Sequence, residues 1–173
     1  MREGLKTVMV KARSFDMDRF FRAFADHTRL RLLNLMRGDE VCVCFFTEVL
    51  GTHQPKISRH LAYLRRAGIV SARREGQWMH YRITEPDNAD AARVLRDVMT
   101  WLANDKQMQR EREKLEKVCC APQLPVRIQA APRPASIAMG RCAGGLASGR
   151  ENSRDDSHIS AAPDLTLARN ALL

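Results

Sequence analysis

The stretch Cys44–Gly68, CFFTEVLGTHQPKISRHLAYLRRAG, decides how the rest of this 173-residue chain is read. It predicts a short helix over about Cys44–Leu50 that stops at Gly51. Thr52-His53-Gln54-Pro55 then opens a second helix, with proline in the first turn, where its missing N–H costs little. That helix runs to Ala67 and is closed by Gly68. Ile57, Leu61 and Leu64 fall at i, i+4 and i+7 and give it a single buried face.

Working outward, Ile69–Thr84 (IVSARREGQWMHYRIT) alternates on either side of Glu75-Gly76-Gln77 and predicts a two-stranded hairpin. On the other side, DMDRFFRAFAD (16–26) carries Phe20, Phe21 and Phe24 at helical spacing. HTRLRLLNLMRG continues with Leu30, Leu33 and Leu35 or Met36 on an apolar face, Asp26 as N-cap and Gly38 as stop. After the hairpin, one long helix is expected from about Ala89 to Lys117, striped by Leu95, Val98, Met99 and Leu102. Its closing turns, KQMQREREKLEK, are almost wholly charged and read either as a solvated extension or as one member of a helix pair. The fold class is mainly α with a small β-hairpin: a winged helix-turn-helix. The expected organisation is an arm over 1–15, the winged domain over 16–104, a charged helix extension ending in Cys-Cys over 105–120, and a disordered tail over 121–173.

The tail boundary rests on composition. Residues 121–173 contain no Phe, Tyr or Trp and hold five of the seven prolines, so they offer little apolar surface to offset ordering entropy. The chain carries a net +9; the tail has six Arg against four Asp and Glu, which leaves +7 on residues 1–120. A basic folded part favours an anionic partner, nucleic acid first. No apolar run is long enough to span a bilayer, and the N-terminal residues lack the h-region of a signal peptide, so a cytoplasmic protein with no membrane partner is expected. The second helix shows Gln54, Lys56, Ser58 and Arg59 on its opposite side and at its N-terminus. Gln and Arg suit base edges, and Lys and Ser suit phosphate oxygens. Arg73, Arg74 and Gln77 sit at the hairpin tip, placed to follow the backbone or enter the minor groove.

Five cysteines remain: Cys42, Cys44, Cys119, Cys120 and Cys142. No C-x-x-C is present and the count is odd, which argues for reduced thiols rather than a disulfide framework. Cys42 and Cys44 lie in EVCVCFF, where thiols serve either as small apolar filler or as soft ligands for a soft ion. On a regular helix, residues two apart point to different sides; on an extended chain they share one side. If both bind one ion, the start of the first motif helix must be extended. Cys119-Cys120, ending a charged helix, is expected to be exposed and reactive.

Three elements carry a resemblance: Asp26–Arg29 (D-x-T-R), Gln54–Leu61 (Q-P-x-x-S-R-H-L) and Arg73–Trp78 (R-R-E-G-Q-W). With them, residues 16–104 resemble the ArsR/SmtB family of bacterial metal-responsive repressors. Val41–Thr47 (VCVCFFT) is similar to the L-C-V-C-D-L-C element of its arsenical-resistance branch. The resemblance implies a homodimer, joined through its first and last helices, on an inverted-repeat operator in double-stranded DNA. It implies release by arsenite or antimonite, with no organic cofactor. It maps the metalloid ligands onto Cys42 and Cys44, and the branch's third cysteine onto Thr47, which has no thiol. A small-molecule thiol or hydroxide, a ligand from Cys119 or Cys120, or a two-coordinate site would each resolve that departure. Another soft metal (cadmium, zinc, copper) or an oxidant acting on the same thiols is the alternative signal. The Asp/His site found on the family's C-terminal helices is not expected, because residues 89–117 hold no histidine. With no glycine-rich phosphate cradle either, no enzymatic turnover is expected.

Overall fold

The computed structural model describes residues 15–135 and 137. The arm over 1–14, Cys142 and the chain from residue 138 onward lie outside the described residues. In order the elements are α1 (Met17–Phe24), α2 (His27–Leu35), β1 (Val41–Cys42), α3 (Val43–Leu50), α4 (Gln54–Arg66), β2 (Val70–Glu75), β3 (Trp78–Ile83), α5 (Ala89–Asn104), α6 (Lys106–Cys120) and a 3-10 turn at Val126–Ile128. Helix starts follow side-chain caps. Asp16, Asp26, Asn88 and Asp105 each accept from the backbone N–H three residues on, at 2.9 Å. Such a cap contributes about 1 kcal/mol. Gly51 ends α3 in the left-handed region at φ 60°, a conformation that disfavours a side chain.

The core is built from one face of each helix. Phe20 of α1, Leu32 and Leu33 of α2, Phe45 and Phe46 of α3, and Ile57, Leu61 and Leu64 of α4 are fully buried. Each contributes about 1.5–3 kcal/mol relative to exposure. The helix-turn-helix, α3 to α4, and the hairpin β2–β3 stand as the sequence predicts. The sheet has three strands rather than two, in the order β1-β3-β2 and antiparallel throughout. Val41 pairs with Tyr81 and Cys42 with His80. A two-residue strand is too short to show alternation, so nothing in the apolar run EVCVCFF announces it.

Two further expectations are corrected. The single long helix is broken at Asp105, whose backbone is extended (φ −76°, ψ 128°) and whose carboxylate caps α6 through Met108 N–H. The charged segment is therefore no solvated extension of α5: α6 packs against α2 and α3. Its Met108, Leu115 and Cys119 are buried, and its polar side chains tie it down. Arg112 is buried, donates to the Leu35 carbonyl at 2.7 Å and pairs with buried Asp39. Asn34 donates to the Met108 carbonyl at 2.7 Å, Arg31 pairs with Glu111 at 2.7 Å, and Lys114 donates to the Val49 carbonyl at 2.8 Å. The first part of the expected disordered tail is also packed: Leu124, Ile128, Ala131 and Ile137 are buried, and the Val126–Ile128 turn lies against α3. A few aliphatic side chains on an existing surface suffice to hold a segment that could form no core alone.

Candidate metal-binding site and nucleic-acid interface

Cys42 closes β1 and is the extended residue just before α3 (φ −68°, ψ 142°). Cys44 sits in the first turn of α3. This junction brings both sulfurs to one place: the Cys44 thiol donates to the Cys42 sulfur at 2.8 Å. The spacing argument is met in a different way from the one expected. Because the helix begins at Val43, Cys42 is already extended, and the pair converges with no further unwinding. Cys42 is fully buried and Cys44 half-buried.

The shared hydrogen bond splits the two thiols electronically. Donation from Cys44 stabilises a thiolate on Cys42 and lowers its pKa to about 7, against the opposing effect of burial. The same bond, with burial and the adjacent Cys42 charge, pushes Cys44 well above the ordinary thiol range. Above about pH 7 the pair therefore holds one proton between two sulfurs, with Cys42 the thiolate.

Thr47, at the position of the absent third cysteine, donates its hydroxyl to the Cys44 carbonyl at 2.7 Å. Its hydroxyl proton is thereby engaged within α3. The C-terminal cysteines differ from expectation. Cys119 is fully buried, and burial pushes its thiol up to about 12. Cys120 is disulfide-bonded and offers no free thiol. Among the described residues no three His, Cys, Asp or Glu side chains gather as a metal site, so the structure does not bring Cys119 or Cys120 to the Cys42–Cys44 pair. What it does place beside Cys44 is a cleft of about 450 Å³ between α3, the first residues of α4 and the Val126–Ile128 turn.

On α4, Gln54 and Lys56 are exposed in the first turn, Arg59 is exposed opposite the buried Ile57–Leu61–Leu64 face, and Ser58 is half-buried at its flank. Arg59 reaches back to the Pro55 carbonyl at 3.4 Å. His60 contacts Asp26 at 3.4 Å, and burial lowers its pKa, so it is a neutral packing residue near pH 7. Arg29 lies over the Tyr63 ring at 4.4 Å and donates to the Ala23 and Arg22 carbonyls at the end of α1. It fastens α1 to α4.

The wing places Arg73, Arg74 and Gln77 at its exposed tip. Arg74 donates to the Gly76 carbonyl at 2.9 Å. Arg73 is held by two carboxylates, Glu40 at 3.0 Å and Glu75 at 2.8 Å. Glu40 was not legible as a partner: it lies 33 residues away, on the loop that leads into Cys42. The loop before the thiols is thus tied on one side to α6, through Asp39 and Arg112, and on the other to the wing, through Glu40 and Arg73. His80, opposite Cys42, is a buried strand residue.

The model for bacterial regulatory proteins of the arsR family matches residues 26–72, which hold the thiol pair and the helix-turn-helix. The arsenic resistance transcriptional regulator ArsR1 of Pseudomonas putida is 43% identical over 109 residues, spanning 61% of this chain and 82% of that protein. The arsenical resistance operon repressor of Escherichia coli is 36% identical over 102 residues, 58% of this chain and 86% of that one. A probable mercury resistance operon repressor of Streptomyces lividans is 42% identical over 78 residues, 45% of this chain and 62% of that one. With two arsenic-resistance regulators matched over more than four-fifths of their own length, and a helix-turn-helix followed by a β-hairpin wing in the expected order, the chain belongs to the arsR family of bacterial regulatory proteins: it is a DNA-binding transcription regulator, not an enzyme.

Proposed function

We propose that this chain is a cytoplasmic repressor that holds its operator through α4 and the wing, and leaves it when trivalent arsenic or antimony binds Cys42 and Cys44. The observation that carries the reading is the 2.8 Å convergence of the two sulfurs at the junction of β1 and α3. One thiol belongs to the sheet that bears the wing and the other to the helix that braces α4. The names of the Pseudomonas and Escherichia relatives point to arsenic as the signal.

The geometry suggests how binding would be felt. An ion bonded to both sulfurs would part the present 2.8 Å contact. Cys42 is buried and anchored by pairing with β3, so the displacement falls on the first turn of α3. α3 packs on α4, and a shift there moves Gln54, Ser58 and Arg59 relative to the groove. The ion prefers the parted state and DNA the present one; by reciprocity, operator weakens ion binding by the same factor.

The operator unit is a homodimer reading an inverted repeat with half-sites about one helical turn apart. Support comes from large apolar side chains left in solvent: Met17 (63% exposed), Phe21 (53%) and Trp101 (69%). Phe15, Met17 and Phe21 line an apolar cleft with Ala91 and Val94 of α5, which fits a seam made by α1 and α5. A soft divalent cation on the same thiols is the second reading, favoured by the mercury-resistance relative.

Arsenite titrated into the protein–operator complex tests the proposal. Wild type releases DNA, and Cys42→Ser retains it at the same arsenite concentration. Release from the Cys42→Ser variant at the wild-type midpoint overturns the thiol assignment.

A further inference from the structure

The cleft beside Cys44 has a charge pattern that the metalloid alone does not use. Glu48 projects from α3 and Arg127 from the turn after α6, and both line the same space as Cys44. No ion pair within 4.0 Å joins them to each other or to another described residue. Two opposite charges facing one cavity without pairing match a ligand that carries both an ammonium and a carboxylate. His53 and Gln54, at the start of α4, form the far wall. The cleft's volume, about 450 Å³, suits a molecule of tripeptide size.

We infer that this cleft is a co-inducer site for a zwitterionic monothiol, whose sulfur supplies the third bond to the metalloid held by Cys42 and Cys44. The inference rests on the thiol assignment above. Trivalent arsenic prefers three sulfurs, and Thr47, which lines the same cleft as Cys44, brings none. Capture begins with arsenous acid, which loses two hydroxyls as water and gains bonds to the two protein sulfurs. One As–OH bond remains, directed from the half-buried Cys44 side toward the cleft. The monothiol replaces it: an As–S bond forms, the As–O bond breaks, and the thiol proton leaves with the hydroxide as water. No oxidation state changes. Arg127 takes the carboxylate and Glu48 the ammonium. The bound molecule then stands against His53 and Gln54, so completing the ion's coordination also loads the first turn of the DNA-facing helix.

The test uses the full chain with glutathione as the probe and 2-mercaptoethanol, an uncharged monothiol, at equal concentration as the control. X-ray absorption counts sulfur neighbours of arsenic, and operator release is read in parallel. Arsenite alone is expected to show two sulfurs and one oxygen. Adding glutathione is expected to give three sulfurs and to lower the arsenite midpoint for release about tenfold. Arg127→Gln should lose the advantage of glutathione over 2-mercaptoethanol while keeping the response to arsenite alone, and Glu48→Gln should weaken it. Three sulfurs in thiol-free buffer would overturn the inference, because the protein would then supply the third ligand. Two sulfurs and an unmoved midpoint with glutathione would overturn it and leave the two-thiol site standing. No sulfur neighbour under any condition would overturn the thiol assignment itself, and the co-inducer with it.

Discussion

The chain carries two close cysteine pairs, and the structure treats them in opposite ways. Cys42 and Cys44 are two residues apart, yet their sulfurs meet at 2.8 Å, because a strand ends on the first and a helix begins between them. Cys119 and Cys120 are adjacent, yet they part: both lie on α6, where neighbouring side chains point to different sides of the helix. One is sealed in the core and the other sits in a disulfide. Proximity in sequence is therefore a poor guide to chelation. What decides it is whether the backbone changes conformation between the two thiols.

The sharpest way to break the comparison is to remove one sulfur from each pair. Cys44→Ser should bind operator within about twofold of wild type and shift the arsenite midpoint for release by roughly a hundredfold or more, the loss of a bidentate site. Cys119→Ala should leave that midpoint within about twofold. An equal shift in both variants, measured by fluorescence anisotropy on labelled operator, would erase the distinction.

A second substitution separates support from sensing. Arg112 neighbours Cys119 and pairs with buried Asp39. Arg112→Met should cost about 3–5 kcal/mol, because it removes the guanidinium that pairs with the buried Asp39 carboxylate. That corresponds to a melting temperature roughly 10 °C lower or more. A variant that melts at the wild-type temperature would mean α6 is not the clamp described here.

The unequal thiols of the Cys42–Cys44 pair also set the sign of a pH effect. With the Cys42 pKa lowered to about 7, the pair carries two protons below that pH and one above it. Arsenous acid brings hydroxyls that leave as water. Its capture is proton-neutral below pH 7 and takes up one proton above, so affinity should be flat and then fall about tenfold per pH unit. A divalent cation displaces protons instead: two per ion below pH 7 and one above. Its affinity should rise throughout, about a hundredfold and then tenfold per unit. Calorimetric titrations with arsenite and with cadmium between pH 6 and 8.5 should give slopes of opposite sign above 7. Parallel slopes would contradict the shared-proton pair.

The smallest expected effect concerns the wing. Glu40→Gln relieves Arg73 of one of its two carboxylates and should tighten operator binding about threefold, with a salt slope steeper by about one. If affinity and slope stay at wild-type values, Arg73 does not face phosphate.

The elements that read clearly from the sequence are those that carry their own punctuation. Asp26 caps α2, Gly51 ends α3, Pro55 opens α4, and Glu75-Gly76-Gln77 turns the hairpin. The exposed positions of α4, Gln54, Lys56 and Arg59, were legible beside the buried Ile57, Leu61 and Leu64. The β1 strand, the break at Asp105 and the packing of residues 121–135 were not legible. Each depends on a partner distant in sequence: β3 for Val41–Cys42, α2 and α3 for α6, and α3 for the Val126–Ile128 turn. The charge runs of α6 looked like a solvated surface because Arg112 and Glu111 become structural only opposite Asp39 and Arg31. For the same reason Arg127 could not be connected with Cys44, which lies 83 positions earlier.

The corner at Asp105 has a mechanical meaning. An unbroken helix from Ala89 to Lys117 would be a rod about 43 Å long. A partner pressing on its exposed Trp101 face would swing the far end, and every adjustment of the seam would pull on the loop that carries the thiols. With the chain extended at Asp105, α5 is a lever only about 24 Å long, and α6 turns back to pack on α2, α3 and α5. If two copies meet through α1 and α5 as proposed, the corner shortens the lever with which each would pull on the segment that carries the thiols.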